Sequence, residues 1–331
     1  MRTHRCMLMW VGLALVLWPA WARPADTTPK KIVVLTDDAF QGRHSPFFVG
    51  VEKGFYKEAG FEVQISPATG SGFVVTALEN GKADYGMAEA ASVVQAVAKG
   101  TKVKGFSVFM DISTSGLASL KGYPTPESIS GKTVAASLTD SARVIVPIVF
   151  AQKKLDPASV KWQAADPGAY YSLLVKGTVD LVTASLDGDV PALVWTARQQ
   201  FRTVHFASFA DWGYDVFGYL LVARADRIAS QPDEVKAFAA ATANAVKYAI
   251  DHQEEAAQIM VKHNRTLDQV MTLAQWRQAT RTINTPYVAK NGYGVATPER
   301  LQRTIDLLKQ ALKLDVSLSP TDLYASGFLT P

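Results

Sequence analysis

From Lys31 to Ala207 one pattern recurs: a short run rich in β-branched residues, a stretch of helical periodicity, then another such run. Runs of this kind read as buried strands, and strands separated by helices of about ten residues imply parallel sheets with right-handed crossovers. The first series is KIVVLT (Lys31–Thr36), FEVQIS (Phe61–Ser66), ADYGMA (Ala83–Ala88) and KVKGFSVFM (Lys102–Met110). The second is KTVAAS (Lys132–Ser137), VKWQAA (Val160–Ala165), VDLVTAS (Val179–Ser185) and RTVHFA (Arg202–Ala207). FGYLLVAR (Phe217–Arg224) returns as a strand, and the sequence beyond it is helical. There Pro232–Lys262 reads as one long segment with Val235, Phe238, Thr242, Ala245 and Ala249 on a single stripe. The expected fold class is therefore α/β with two lobes, the second inserted into the first. The crossings are expected near 112–122 and 208–217, which gives lobe 1 as 30–118 with 214–331 and lobe 2 as 119–213. Ligands of open parallel sheets sit beyond the carboxyl ends of the strands, so two facing lobes enclose a cleft.

The amino terminus predicts an address. Arg2 and Arg5 precede the apolar run MLMWVGLALVLW (Met7–Trp18), and Ala20-Trp21-Ala22 has the small-x-small pattern of a signal-peptidase site. The expectation is a signal peptide at 1–22, a flexible tail at 23–29, and export to the periplasm. A membrane span needs roughly 20 apolar residues, and no later segment approaches that. The single cysteine, Cys6, lies before the apolar run, so the mature chain is expected to hold no disulfide, no cysteine metal site and no cysteine nucleophile. Some 309 residues then remain, above the size at which one core usually divides.

Charge narrows the classes further. The net charge of +4 falls to +2 without Arg2 and Arg5, and no block of five like charges occurs, which argues against nucleic acid as a partner. Catalytic and metal templates are missing: there is no H-E-x-x-H, C-x-x-C or G-x-S-x-G, and the remaining histidines, His44, His205, His252 and His263, show no ligand spacing. No cofactor and no metal are expected.

What remains is a set of polar and aromatic groups at predicted strand ends. The loop TDDAFQGRH (Thr36–His44) packs two acids, a Phe, an Arg and a His before the helix that Ser45-Pro46 begins. Gly70-Ser71-Gly72 follows a strand and precedes a helix; it is either a flexible turn or a set of N–H groups facing a ligand. SLTDSAR (Ser137–Arg143) and ASLDGDVPAL (Ala184–Leu193) repeat the strand-end theme, with capping as the alternative role for their short polar side chains. ADWGYDVFGY (Ala210–Tyr219) gathers aromatics and an acid where the chain crosses back.

HSPFFVGVEKGFYKEAGFEVQI, ENGKADYGMA, TSGLASLKGYPTPESISGKTVAAS and the stretch from DWGYDVFGYLLVARADRIAS to AIDHQEEAAQIM resemble the NMT1/THI5-like solute-binding proteins. The resemblance runs over nearly the whole mature chain. It implies the type II periplasmic-binding-protein fold and a place in an ABC importer of pyrimidine thiamine precursors, riboflavin or related molecules, with sulfonate and nitrate binders as more distant kin. Pyrimidine-binding relatives tend to read Asp-Trp-x-Pro-Asn-x-x-His before the first helix. Here Asp37 and His44 match, while Asp38 replaces the Trp, Phe40 the Pro and Gln41 the Asn. Asp189 falls near a Glu that such relatives use against an amino-pyrimidine. The Cys-rich motif of the yeast pyrimidine synthases is absent.

The resulting expectation is a monomeric, non-enzymatic periplasmic receptor. It closes on a small ring-containing solute and delivers it to an ABC permease in the inner membrane. From lobe 1 the expected ligand residues are Asp38, Phe40, His44, Ser71, Phe73 and Glu89. From lobe 2 and the crossing they are Thr139, Tyr170, Asp187, Asp189, Trp212, Tyr214 and Asp215. Several carboxylates in one cleft suggest a ligand with amino or amidine-like donors. Two rivals stay open: an enzyme with Asp37 or Asp38 as base and His44 as partner, and a receptor presenting ligand to a membrane sensor.

Overall fold

The computed structural model describes residues 28–138 and 140–330. The signal peptide expected at 1–22 and the candidate ligand residue Thr139 lie outside them. Strands β1 (Lys30–Leu35), β2 (Phe61–Ser66), β3 (Tyr85–Glu89) and β4 (Val103–Met110) build the first sheet. Strands β5 (Ser115–Ser119), β6 (Thr133–Ala136), β7 (Lys161–Ala164), β8 (Leu181–Ser185) and β9 (His205–Ser208) build the second, before β10 (Tyr219–Arg224) returns to the first. The two orders are β2-β1-β3-β10-β4 and β7-β6-β8-β5-β9.

Alternation along the strands explains the layering. In β1, Ile32 and Val34 pack with Phe47, Tyr56 and Phe238, while Leu35 joins Val74 and Val93 on the other face. In β10, Leu221 and Ala223 go to the first group, and Leu220 and Val222 to the second. Both faces of this sheet are thus covered by helices, as continuous apolar runs require. The centre of one face is an aromatic stack in which the Phe238 ring centroid lies 4.1 Å from that of Tyr85 and 5.4 Å from that of Tyr56, its plane nearly parallel to each.

Three expectations are corrected. The sheets are mixed rather than parallel: β10 runs antiparallel to β3 and β4, and β5 antiparallel to β8 and β9. The reason is the crossing itself. A chain arriving from the other lobe enters a sheet at the edge where the parallel strands end, so its first strand runs back against them. Second, the division at 118/119 cuts through β5; the crossings lie at 111–114 and 209–218, between β4 and β5 and between β9 and β10. Ser-Gly-Leu-Ala-Ser has little β-branched character, and its Gly116 is there because β9 comes close: a Cβ would stand 2.3 Å from the Ala207 carbonyl oxygen. Third, the segment 232–262 is two helices, Pro232–Asp251 and Gln253–His263, broken at His252 with φ −129° and ψ 58°.

The crossings are tied together by one cation. Arg300, on helix Pro298–Leu312, donates to the Asp111 carboxylate, to the Asp111 carbonyl at 3.0 Å and to Asp215 at 3.0 Å. Its guanidinium sits between the rings of Phe217 (4.6 Å) and Tyr287 (4.2 Å), a desolvated cation–π arrangement. Asp111 also accepts from the Thr285 hydroxyl.

Candidate functional site

The carboxyl end of β1 runs into the loop Thr36–Gln41, a single 3-10 turn at Gly42–His44 and the helix Ser45–Glu52. This path folds Arg43 and His44 inward, where both are buried. Arg43 grips Asp37 through both oxygens, Nη2 to Oδ2 at 2.7 Å and Nε to Oδ1 at 3.2 Å. Its other arm reaches the second lobe and donates to Asp187 Oδ2 at 3.2 Å, after also contacting Gln41 Oε1. Beside this contact Gln275 donates to the Gly188 carbonyl at 3.3 Å, from helix Gln269–Ile283 of the first lobe. Gly188 is closely packed here: a Cβ would stand 2.7 Å from Gln41 Oε1 and 2.6 Å from Ser185 Oγ, so a larger residue would displace those side chains.

Protonation follows from these partners. The backbone N–H of Gln41 donates to His44 Nδ1 at 3.0 Å, so that nitrogen carries no proton, and Nε2 donates to Asp37 Oδ1 at 2.7 Å. Burial, the largest influence, holds the His44 imidazole neutral by pushing its pKa down. For Asp37 burial pulls upward, but the Arg43 charge and the His44 hydrogen bond outweigh it and hold the carboxyl well below the usual range.

Glu89, at the end of β3, behaves oppositely. Burial, followed by the negative charge of Asp37, pushes its carboxyl up to about 7 against the pull of Arg43. Its partner is the Tyr219 hydroxyl at 3.4 Å, and the Arg43 guanidinium lies 5.3 Å from the Tyr219 ring. A carboxyl whose folded pKa is raised contributes stability that is full below its unfolded value of about 4.5 and is lost as pH rises to about 7. Glu89→Gln is therefore expected to abolish one downward component of stability between pH 5 and 7.5. Urea midpoints of both proteins across that range check this, and parallel curves would refute it.

On the second lobe a cavity of about 170 Å³ opens at the carboxyl edge of the sheet, with Asp140, Tyr170, Thr183, Ser185, Asp189 and Phe209 on its walls. The Thr183 hydroxyl bridges Asp140 Oδ2 (2.7 Å) and the Tyr170 hydroxyl (3.2 Å), and the latter accepts from the Ser137 N–H at 3.0 Å. One oxygen of Asp189 accepts from both the N–H and the hydroxyl of Ser185, each at 2.8 Å. Asp187 lies on the turn between those two residues, wholly buried, and its Oδ1 has no hydrogen-bond partner among the described residues.

The expected ligand residues thus separate into two sets. Tyr170 and Asp189 line the cavity on the second lobe, and His44, Glu89 and Asp187 belong to the cluster around Asp37, Arg43 and Tyr219 where the lobes meet. Ser71 stands just behind Glu89, accepting its N–H at 3.0 Å, and Phe73 is 53% exposed on the first turn of helix Ser71–Glu79. The others are engaged within the protein. The Trp212 indole donates to the Pro124 carbonyl at 2.8 Å and packs against Phe209, so its ring belongs to the core. Tyr214 is buried in the same core, Phe40 packs edge-on against Phe48 at 5.1 Å, and Asp215 is taken by Arg300. Asp38 is exposed and accepts from the Ala39 N–H of its own loop. Sequence reasoning missed Arg43, Asp140 and Tyr219 as members of the site. Arg43 sits inside the loop Thr36–His44, where the available signal is one cation among two acids and a histidine.

Comparison with known proteins gives a consistent picture. The family model described as NMT1/THI5 like matches residues 41–256. The 4-amino-5-hydroxymethyl-2-methylpyrimidine phosphate synthase of Schizosaccharomyces pombe is 24% identical over 228 residues, 63% of this chain and 62% of the relative, so the match spans less than two thirds of that protein. The periplasmic aliphatic sulphonate binding protein SsuA of Escherichia coli superimposes with a TM-score of 0.66 at 13% identity, over 89% of this chain and 91% of that one. The alkanesulfonate-binding protein SsuA of Xanthomonas axonopodis pv. citri, bound to MOPS, gives 0.64 at 13% identity over 90% and 99%. At such identities the likeness is one of fold: two α/β lobes of the periplasmic-binding-protein type.

Proposed function

The chain belongs to the NMT1/THI5-like family, and from that premise we propose that it is a periplasmic solute-binding protein of an ABC importer. On this reading it captures a small ring-containing solute by closure of the lobes and delivers it to a permease. The observation that carries the reading is the arrangement across the cleft. Side chains from the ends of two separate sheets meet where the lobes face each other: Arg43 of the first bonds Asp187 of the second, Asp140 and Asp189 wall a cavity on the second lobe, and two chain crossings join the lobes. A solute touching both walls makes its full set of contacts only in the closed form, so it shifts the population toward closure.

The synthase relative favours a second reading, an enzyme on the same scaffold. The geometry around Asp37 and His44 weighs against it. Both Asp37 oxygens are bound to cation or imidazole N–H, which holds its pKa well below the usual range and makes it a weak base, and His44 Nδ1 is occupied by a backbone donor.

A thermal-shift screen of the purified protein against pyrimidines, flavins, aromatic carboxylates and sulfonates tests the proposal. A ligand present at a hundred times its dissociation constant stabilises by about 2.7 kcal/mol, and the bound molecule is expected to be released unchanged. Turnover of the bound molecule would instead establish the enzyme reading. No shift with any class would end the ring-solute proposal.

A further inference from the structure

We infer that Arg43 and Asp187 lock the two lobes together beside the first crossing without help from a solute, with Gln275 as the neutral half of the lock. This goes beyond the solute-binding reading, because it concerns how the lobes stand before any solute arrives.

The first ground is where the partner of Asp187 comes from. The residue is wholly buried, yet among the described residues its carboxylate accepts no hydrogen bond from its own lobe. Its donor there is Arg43 Nη1 of the first lobe, at 3.2 Å. A buried carboxylate is costly unless a cation compensates it, so this burial is tolerable only with the first lobe's guanidinium against it. The turn that carries Asp187 is fixed to the crossing, since the Leu186 N–H donates to the Thr114 carbonyl at 2.8 Å. Rotation of the lobes about the crossings therefore acts on this ion pair.

The second ground is that the first lobe alone sets Arg43 in place. Asp37 holds it with two bonds, Gln41 Oε1 accepts from Nη1, and the Tyr219 ring lies 5.3 Å from the guanidinium. Its loop is pressed against helix Gln269–Ile283: a Cβ on Gly42 would stand 2.4 Å from the Thr272 carbonyl oxygen and 2.5 Å from the Trp276 nitrogen. An arginine ordered in advance loses little conformational freedom when Asp187 arrives, so most of the attraction is kept.

The third ground is a second bond that carries no charge. The Gln275 amide is used at both ends: Oε1 accepts from the Gly42 N–H at 2.9 Å, and Nε2 donates to the Gly188 carbonyl at 3.3 Å. One side chain thereby ties the Arg43 loop, its helix and the turn of the second lobe. The other oxygen of Asp187 keeps the lock releasable. It has no donor among the described residues, and parting of the lobes gives it water, which offsets part of the loss. A solute then meets lobes already drawn together, and less of its binding energy goes into closing them.

Pulsed electron-spin distances test this on the purified chain, with Cys6→Ser and labels at Glu79→Cys and Lys176→Cys, exposed ends of helices Ser71–Glu79 and Tyr170–Lys176 in different lobes. Native mass spectrometry first establishes that no small molecule is bound. The protein is expected to show one narrow distance. Asp187→Asn should lower the ratio of closed to open form roughly tenfold or more, and Gln275→Ala about threefold. The two together should add a second distance and raise the radius of gyration in solution scattering. Should Asp187→Asn fail to fold, Gln275→Ala carries the measurement. A wild-type protein that already shows both distances in the variants' proportions overturns the inference. Variants that keep the wild-type distance and radius also overturn it. Neither result touches the solute-binding reading, which the solute screen judges on its own.

Discussion

Arg43→Met is expected to cost the folded protein about 3–5 kcal/mol, read as a large drop in the urea midpoint. Methionine keeps an apolar stem but lacks the guanidinium, so the dominant loss is expected from the two buried acids left without their cation. Among the described residues, removing the guanidinium leaves Asp37 with the His44 N–H alone and leaves Asp187, with no solvent exposure, without a side-chain partner. Adding Asp187→Asn to the Arg43→Met protein should recover part of the loss, because the second uncompensated charge is then gone. Asp187→Asn alone should be milder, since Arg43 keeps both bonds to Asp37. The pH dependence should change as well. A carboxyl with a depressed folded pKa contributes stability that is present above its unfolded value, near 3.8, and lost as pH falls toward the folded value. In Arg43→Met that acid-labile component should shrink. A midpoint within error of wild type would show that Arg43 does not neutralise this buried cluster.

Arg300→Met is expected to produce a comparable stability loss, again about 3–5 kcal/mol, together with a change in solute affinity. Here the burial of Asp111 pushes its carboxyl up, and Thr285 and Arg300 oppose that push. Without the guanidinium, the carboxylate at the first crossing keeps Thr285 as its side-chain donor, and the carbonyl of Asp111 loses its bond. Because Arg300 also holds Asp215, the same substitution uncouples the two crossings. Arg300→Lys separates charge from shape. An ammonium keeps the charge but cannot reach Asp111 and Asp215 in one planar fork or stack between Phe217 and Tyr287, so an intermediate stability is expected. Urea unfolding of both variants gives the first readout, and calorimetry with a solute from the screen gives the second. A methionine variant as stable as wild type would remove Arg300 from this role.

Much of the framework was legible because its causes are local. Lys30–Leu35 and Tyr219–Arg224 alternate between two apolar faces, and that period is written in adjacent residues. Ser45-Pro46, Thr297-Pro298 and Ser319-Pro320 begin helices for reasons contained in a few backbone groups. Strand β5 was not legible, since Ser115–Ser119 owes its conformation to its neighbours β8 and β9 and not to β propensity. The break at His252 was hidden for a related reason: the apolar stripe continues across it.

The amino-acid sequence by itself determined that strands and helices alternate, that a second series follows the first, and that polar loops fall at the strand ends. Tertiary structure alone decided what those loops do. Arg43 meets an acid 144 residues away, and Arg300 one 189 residues away. No spacing rule encodes such pairs, because the partners are chosen by where two sheets and their crossings bring buried charge together. The same closure turned Trp212 and Phe40 into packing residues and left one oxygen of Asp187 without a donor among the described residues. Periodicity is a property of neighbours along the chain, whereas neutralising a buried charge is a property of the assembled interior.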